Sequence, residues 1–442
     1  MHALPLTAHP ATAPLSGDIA VPGDKSISHR ALMFAGLAIG TTRITGLLTG
    51  EDVLRTAACM RALGADVRDT GAGEWQVTGA GLGALREPAD VLDMGNSGTA
   101  ARLLAGILAT HPIFSVLTGD ASLRRRPMAR VTIPLALSGA QFLAREGGRL
   151  PLAIHGTGNA APITYRLPVA SAQVKSAILL AGLNTRGQTL VEEPIPTRDH
   201  SENMLRHFGA EVEISALAGG GNAIALTGHP TLKAADVVVP GDPSSAAFPI
   251  VAALLVPGSA ITVRAVGLNP LRTGILTALR LMGADIEILN PRTEGGEPVG
   301  DIVVRHSPLR AIDLGPEIAP SMIDEYPILA VAAANADGVT RLRGLHELRV
   351  KESDRLSATA ALLNANGVRV EIEGDDLIIH GTPGKVPGGG VVATNMDHRL
   401  AMSGLVLGLS SLAPVQVDDH AFIDTSFPGF VEMMKGLGAQ FS

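Results

Sequence analysis

The sequence predicts an α/β protein of two domains, each holding three α+β units. Three observations predict it. First, a helix-like segment ends in glycine and passes into a strand-like run six times, at Gly64, Gly139, Gly209, Gly283, Gly367 and Gly438. Second, a short β-rich run lies upstream of each glycine: 41–46, 114–119, 188–192, 260–264, 339–344 and 414–418. Third, runs rich in Ala, Leu and Gly precede those strands, as at 31–37, 100–109, 177–183, 246–255, 328–334 and 400–409. Repetition at a regular interval is the mark of one structural unit used many times. A glycine at the end of a helix supplies the left-handed residue that lets the chain turn into a strand.

Six such units exceed one core, so they group three and three. Pro22-Gly23-Asp24 opens the first unit, and Pro240-Gly241-Asp242-Pro243 echoes it at the fourth. The expected domains are therefore 23–241 and, together, 1–22 and 243–442. The chain crosses between them near 22–24 and 240–243, a double hinge beside a cleft.

Composition narrows the function. Of 442 residues, 46% are hydrophobic and 17% charged, as in a folded globular protein. A net charge of −7 gives no general attraction to nucleic acid or to an anionic membrane. Any anion site must come from locally clustered cations. Cys59 is the single cysteine, which excludes an internal disulfide framework. Residues 1–17 show no basic segment followed by an apolar run, and read as a loose lead. No apolar stretch is long enough for a membrane span. A cytoplasmic, monomeric protein is expected, acting on small molecules.

Taken in order, polar segments gather at the starts of the repeat helices. Gly23-Asp24-Lys25-Ser26 begins a helix that also carries Arg30. Asp24 or Ser26 can cap it, and its free N–H groups and dipole favour an anion. Gly95-Asn96-Ser97-Gly98-Thr99 opens the next, with Arg102 one turn on. Arg124-Arg125-Arg126-Pro127 follows, then Ser171-Ala172-Gln173-Val174-Lys175-Ser176, then Arg198 after a strand. In the second half come Asp324-Glu325-Tyr326, Arg349 to Arg355 with Lys351 and Glu352, and Asn395 to Arg399. Each segment alone is equally a capped helix, a glycine loop or a solvated charge run. Together, cations and donors recur at corresponding places in both halves, which points to bound anions. Asp324 and Glu352 are the carboxylates placed to act among those cations as acid or base. No cluster has metal-ligand spacing, no P-loop is present and no nucleophile elbow is present, so no metal or cofactor is expected.

The segments PGDKSISHR, GNSGTAARLL, RRRPM, SAQVKSA, DEYPILA, RVKESDRL and MDHRLAM, in that order over residues 20–435, resemble the 5-enolpyruvylshikimate-3-phosphate synthases. The resemblance implies two domains of three βαβαββ units each, the inside-out α/β barrel of enolpyruvyl transferases. It implies transfer of the enolpyruvyl group of phosphoenolpyruvate to the 5-hydroxyl of shikimate 3-phosphate, with phosphate released. By position, Lys25, Ser26, Arg30, Ser171, Ala172, Gln173, Arg198, Asp324 and Lys351 resemble the contacts to shikimate 3-phosphate. Lys25, Gly98, Arg126, Gln173, Arg355 and Arg399 resemble the contacts to phosphoenolpyruvate. The implied catalytic residues are Asp324, Glu352 and Lys25. One departure stands out: Thr425 precedes Ser426-Phe427-Pro428 where many members carry Lys. SAQVKSA and DEYPILA resemble a branch containing glyphosate-insensitive members, whereas Gly98 leaves room beside phosphoenolpyruvate. The rival readings are the sister transferase acting on a UDP-amino sugar and a non-catalytic anion-binding protein on the same repeats.

Overall fold

The computed structural model of the chain describes residues 3–442. Two compact units emerge. The first holds Gly23–Val239 with Glu294–Glu297; the second holds the chain up to Pro22, Pro240–Thr293 and Pro298–Ser442. Residues 1 and 2 of the predicted lead lie outside the described residues.

The first unit contains helices α1 (Lys25–Leu37), α2 (Glu51–Ala62), α3 (Gly98–Ala109), α4 (Ala129–Ala136), α5 (Ala172–Gly182) and α6 (His200–His207). Its second repeat shows the plan. Strand Leu92–Asp93 is followed by α3, strand Phe114–Thr118, α4, and the hairpin Gln141–Arg145 and Arg149–His155. The first two strands pair in parallel, with Leu92 opposite Leu117, and the other pairings are antiparallel. In Arg149–His155, Leu150, Leu152 and Ile154 are buried and alternate with more open neighbours. A strand with one face on the core requires that period of two. The third repeat is built alike around Thr164–Arg166, Gln188–Glu193, Val212–Ala216 and Asn222–Thr227. In the first repeat, the opening strand comes from the far end of the unit: Val237–Val238 lies parallel to Thr41–Thr45.

Helix character sorts by position. Helices α3 and α5 are apolar nearly all round and lie inside. Helix α6 has a polar outer face and lies outside. All-round burial needs all-round apolarity; one-sided burial needs only a stripe. The inner helices touch closely: a Cβ added at Gly106 of α3 would lie 2.2 Å from the Ala177 carbonyl oxygen of α5.

The second unit contains α7 (Pro243–Leu255), α8 (Gly274–Leu281), α9 (Ala319–Met322), α10 (Tyr326–Ala334), α11 (Arg355–Ala365), α12 (His398–Ser410) and α13 (Phe430–Leu437). Among the described residues, the two units together hold six four-stranded sheets. The glycines that the sequence singled out all adopt positive φ, from 79° at Gly367 to 113° at Gly438.

The lead is not loose. Leu6–His9 lies between Val415–Val417 and Gln440–Phe441, antiparallel to both. Ser16–Ala20 runs parallel to Ala260–Arg264. Ala8 is fully buried. These strands complete sheets whose other members lie more than 200 residues away, so no local pattern announces them.

Among the described residues, no helix is long and apolar enough to cross a membrane, and no group of three or more His, Cys, Asp or Glu is placed to hold a metal. Cys59 is buried, and burial pushes its thiol up to about 12, which removes it as a nucleophile.

Candidate active site

In the first unit, three inner helices bring their opening turns together. Asp24 caps α1, its Oδ1 accepting from Ile27 N at 2.8 Å. That cap sets Lys25 in the first turn, where its ammonium pairs with Asp52 of α2. Arg30 is buried one turn on. It donates to the Ser26 carbonyl at 2.9 Å, to Ser201 Oγ at 2.8 Å and to Ser176 Oγ at 2.8 Å. All three acceptors are neutral. Burial draws the guanidinium down to about 10, opposed chiefly by Glu202, so it stays cationic at neutral pH. His29 is different: burial first, then Lys25 and Arg30, hold its pKa well below the ordinary value. Its ring meets Thr56 Oγ1 at 2.7 Å and Ser97 Oγ at 3.3 Å as a neutral, positioned group.

Ser97 caps α3 through Ala100 N at 3.1 Å and makes Gly98 the first helical residue. A Cβ at Gly98 would lie 2.9 Å from Arg102 Nη1 and 3.2 Å from Arg126 Nη1. Two guanidiniums thus face one open helix start. Arg126 is held by Asn96 Oδ1 at 2.9 Å and Ser122 Oγ at 3.3 Å, and Asn96 in turn donates to Asp120 at 2.6 Å. Arg102 donates to Gln173 Oε1 at 2.6 Å, and Gln173 Nε2 donates to Thr99 Oγ1 at 3.0 Å. Ser171 caps α5, with Ala172 its first residue. Arg198 sits half-buried just before α6.

Of the three adjacent arginines, Arg124 and Arg125 are exposed and only Arg126 turns inward. Arg102 is one residue of this unit's site that the sequence reading did not assign to a substrate. The available signal was its spacing: four residues beyond Gly98, it must share that face of the helix.

In the second unit, Arg355 opens α11 and is almost fully buried. Its guanidinium meets three carboxylates: Asp397 at 2.7 and 3.3 Å, Asp324 at 3.0 Å and Glu352 at 2.5 Å. Lys351 Nζ is 3.4 Å from Asp324. Burial disfavours the Arg355 charge, but Asp397, Glu352 and Asp324 outweigh it and raise its pKa. Burial likewise works against the Asp397 carboxylate, and the Arg355 fork holds its pKa below the ordinary range. Asn395 and Met396, at φ 53° and 62°, make a left-handed turn immediately before Asp397. Two such non-glycine residues in succession are strained. The turn delivers Asp397 as the cap of α12, accepting from Arg399 N at 3.0 Å. Arg399 Nη1 is 3.8 Å from Glu325 Oε1, which also accepts from Ser244. Asp397 and Glu325 were missed as site residues because each reads locally as an ordinary helix start. Thr425 donates to the Phe422 carbonyl at 2.7 Å and places no cation there.

A family profile described as EPSP synthase (3-phosphoshikimate 1-carboxyvinyltransferase) matches residues 10–434. The chain belongs to this family. The 3-phosphoshikimate 1-carboxyvinyltransferase of Acidiphilium cryptum is 69% identical over 99% of this chain and 97% of its own. That of Granulibacter bethesdensis is 70% identical over 96% and 93%. A solved EPSP synthase from Acinetobacter baumannii is 43% identical, with a TM-score of 0.88 over 99% of both chains. The enolpyruvyl transferase NikO of Streptomyces tendae, 19% identical with a TM-score of 0.77 over 100% of this chain and 99% of its own, shares the fold. Membership of the EPSP synthase family makes the chain an enzyme of the shikimate pathway, a carboxyvinyl transferase of aromatic amino-acid biosynthesis. The α/β repeat fold expected from sequence is the one observed.

Proposed function

We propose that the residues of the two units divide the work of this transfer. Lys25, Ser26, Arg30, Ser171, Ala172, Gln173 and Arg198, with Asp324 and Lys351, hold shikimate 3-phosphate. Lys25, Gly98, Arg126 and Gln173, with Arg355 and Arg399, hold phosphoenolpyruvate. Both substrates are multiply anionic, and arginine forks with lysine point charges suit phosphate and carboxylate. Asp324 takes the proton of the 5-hydroxyl as its oxygen bonds to C2 of phosphoenolpyruvate. Glu352, with Lys25, delivers a proton to the methylene carbon. The tetrahedral adduct then loses phosphate from C2, and Glu352 takes a proton back from the new methyl group to restore the enol. The surrounding cations stabilise the charge that develops. The working form is a cytoplasmic monomer that needs neither metal nor cofactor.

One observation carries most of this reading. The guanidiniums of Arg102 and Arg126 converge on Gly98, at a helix start that only a residue without Cβ leaves open. The test is phosphate release with each substrate alone, with both, and with a UDP-amino sugar. Release is expected only with shikimate 3-phosphate and phosphoenolpyruvate together; release with the UDP-amino sugar instead overturns the reading. Glu352→Gln should bind both substrates while kcat falls about 10²- to 10⁴-fold, the range for losing a general acid–base group. Unchanged turnover would remove Glu352 from the mechanism.

A further inference from the structure

Lys175 has no part in the mechanism above, because its side chain is wholly buried and cannot touch a substrate. Its ammonium is nevertheless fully engaged. It lies 2.9 Å from Glu193 Oε2 and 2.7 Å from Glu202 Oε1, and donates to the Thr197 carbonyl at 3.1 Å. Glu193 Oε2 also accepts from Thr197 N at 3.2 Å and Thr197 Oγ1 at 2.9 Å. Both carboxylates are buried. Three elements meet here. Helix α5 carries Lys175 four residues after Ser171. The loop 194–199 carries Arg198 next to the doubly held Thr197. Helix α6 carries Glu202 next to Ser201, which accepts from Arg30 and donates to Ser176 of α5 at 2.8 Å. Glu202 is also the largest favourable charge acting on Arg30.

Stability alone does not call for this arrangement. Burying three charges costs desolvation that a well-packed apolar set of the same volume avoids. A directed, charge-assisted cluster does offer fixed geometry. Here that geometry links the start of α5, Arg198 and Arg30, all on the shikimate 3-phosphate side of the proposed site.

We propose that Lys175, Glu193 and Glu202 form a positioning cluster that fixes Arg30 and the Arg198 loop for shikimate 3-phosphate. The inference rests on the reading of Arg30 and Arg198 as contacts to that substrate. The central test is the double variant Lys175→Met with Glu202→Gln. It removes one positive and one negative charge, so the cluster keeps its net charge while the Lys175 ties from α5 to Glu193, the loop and Glu202 are lost. The KM for shikimate 3-phosphate should rise about tenfold, the worth of a hydrogen bond to a charged group. The KM for phosphoenolpyruvate and kcat should stay within about twofold, the signature of lost binding rather than lost chemistry. A folded double variant with a lower melting temperature and both KM values unchanged shows a merely structural cluster and overturns the proposal. If the double variant does not fold, Thr197→Val decides, since it keeps every ion and deletes one hydroxyl. A rise of about twofold or more in the same KM supports the cluster, and no rise overturns it. Arg198→Gln separates the two levels. If it weakens shikimate 3-phosphate while the cluster variants do not, the cluster fails alone; if it too changes nothing, the underlying reading fails and the proposal falls with it.

Discussion

A missing methyl group and one shared guanidinium set the tightest constraints on this site. At Gly98, an added Cβ would crowd the tips of Arg102 and Arg126, at 2.9 and 3.2 Å, and no backbone atom. Those side-chain ends can shift, so Gly98→Ala should fold with little loss of stability. The shift displaces the cations that face the helix start. The KM for phosphoenolpyruvate should therefore rise about tenfold, with that for shikimate 3-phosphate nearly unchanged, as steady-state kinetics with each substrate varied would show. Asp397 makes the opposite kind of contribution, to stability. Its pKa lies below the 3.8 of an unfolded aspartate because the Arg355 fork outweighs the cost of burial. A lowered carboxylate pKa means stability that is complete above about pH 4 and lost as pH falls from there through the folded value. Asp397→Asn should accordingly cost about 3 kcal/mol at pH 7, the lower end for breaking a buried ion pair. The gap between variant and parent should narrow below pH 4. Urea unfolding at pH 7 and pH 3.5 measures both, and an equal gap at the two pH values would refute the assignment.

At the scale of elements, the close approach of α3 and α5 ties packing to the site. Gly106→Ala would set a Cβ 2.2 Å from a carbonyl oxygen that belongs to backbone and cannot swing away. The helices must part, at a cost of at least about 2 kcal/mol. Because Arg102 of α3 bonds Gln173 of α5, the affinity for phosphoenolpyruvate should fall in the same variant. Thermal melting and substrate titration check this, and an unshifted melting temperature would contradict the contact. These inner helices and the glycine turns after the outer ones were legible in the sequence, because each imposes its own local pattern. The apolar run of α10 is buried throughout, and each turn glycine had to supply a positive φ. The opening strands Leu92–Asp93, Val237–Val238 and Val391–Val392 were not legible, since two residues carry no period. The site divides in the same way. Gly98, Arg126 and Lys25 sit in distinctive local motifs. Asp397, Glu325 and the buried Lys175 take their meaning from partners far along the chain.

For the whole molecule, the order of the chain makes the two units unequal in independence. The first can draw all four strands of each of its sheets from residues 41–238, since Val237–Val238 returns to pair with Thr41–Thr45. The second cannot do so from residues 240–442. Its sheets need Leu6–His9 and Ser16–Ala20, which precede the first unit in sequence. Without Leu6–His9, Val415–Val417 and Gln440–Phe441 lose the strand that joins them, and Gly408 of α12 loses Ala8, whose Cβ would lie 2.6 Å from a Cβ placed there. A buried sheet deprived of an inner strand leaves its backbone donors and acceptors unpaired. Residues 23–239 should therefore unfold cooperatively as an isolated fragment, whereas 240–442 should not fold alone. The remedy is specific. Asp242 N donates to the Pro22 carbonyl at 2.9 Å, so the lead ends beside the start of α7. A short glycine linker joining residues 1–22 to 240–442 should restore a cooperative transition. Circular dichroism with urea titration of the three fragments tests this, and a cooperative transition for 240–442 without the lead would show that the N-terminal strands are dispensable.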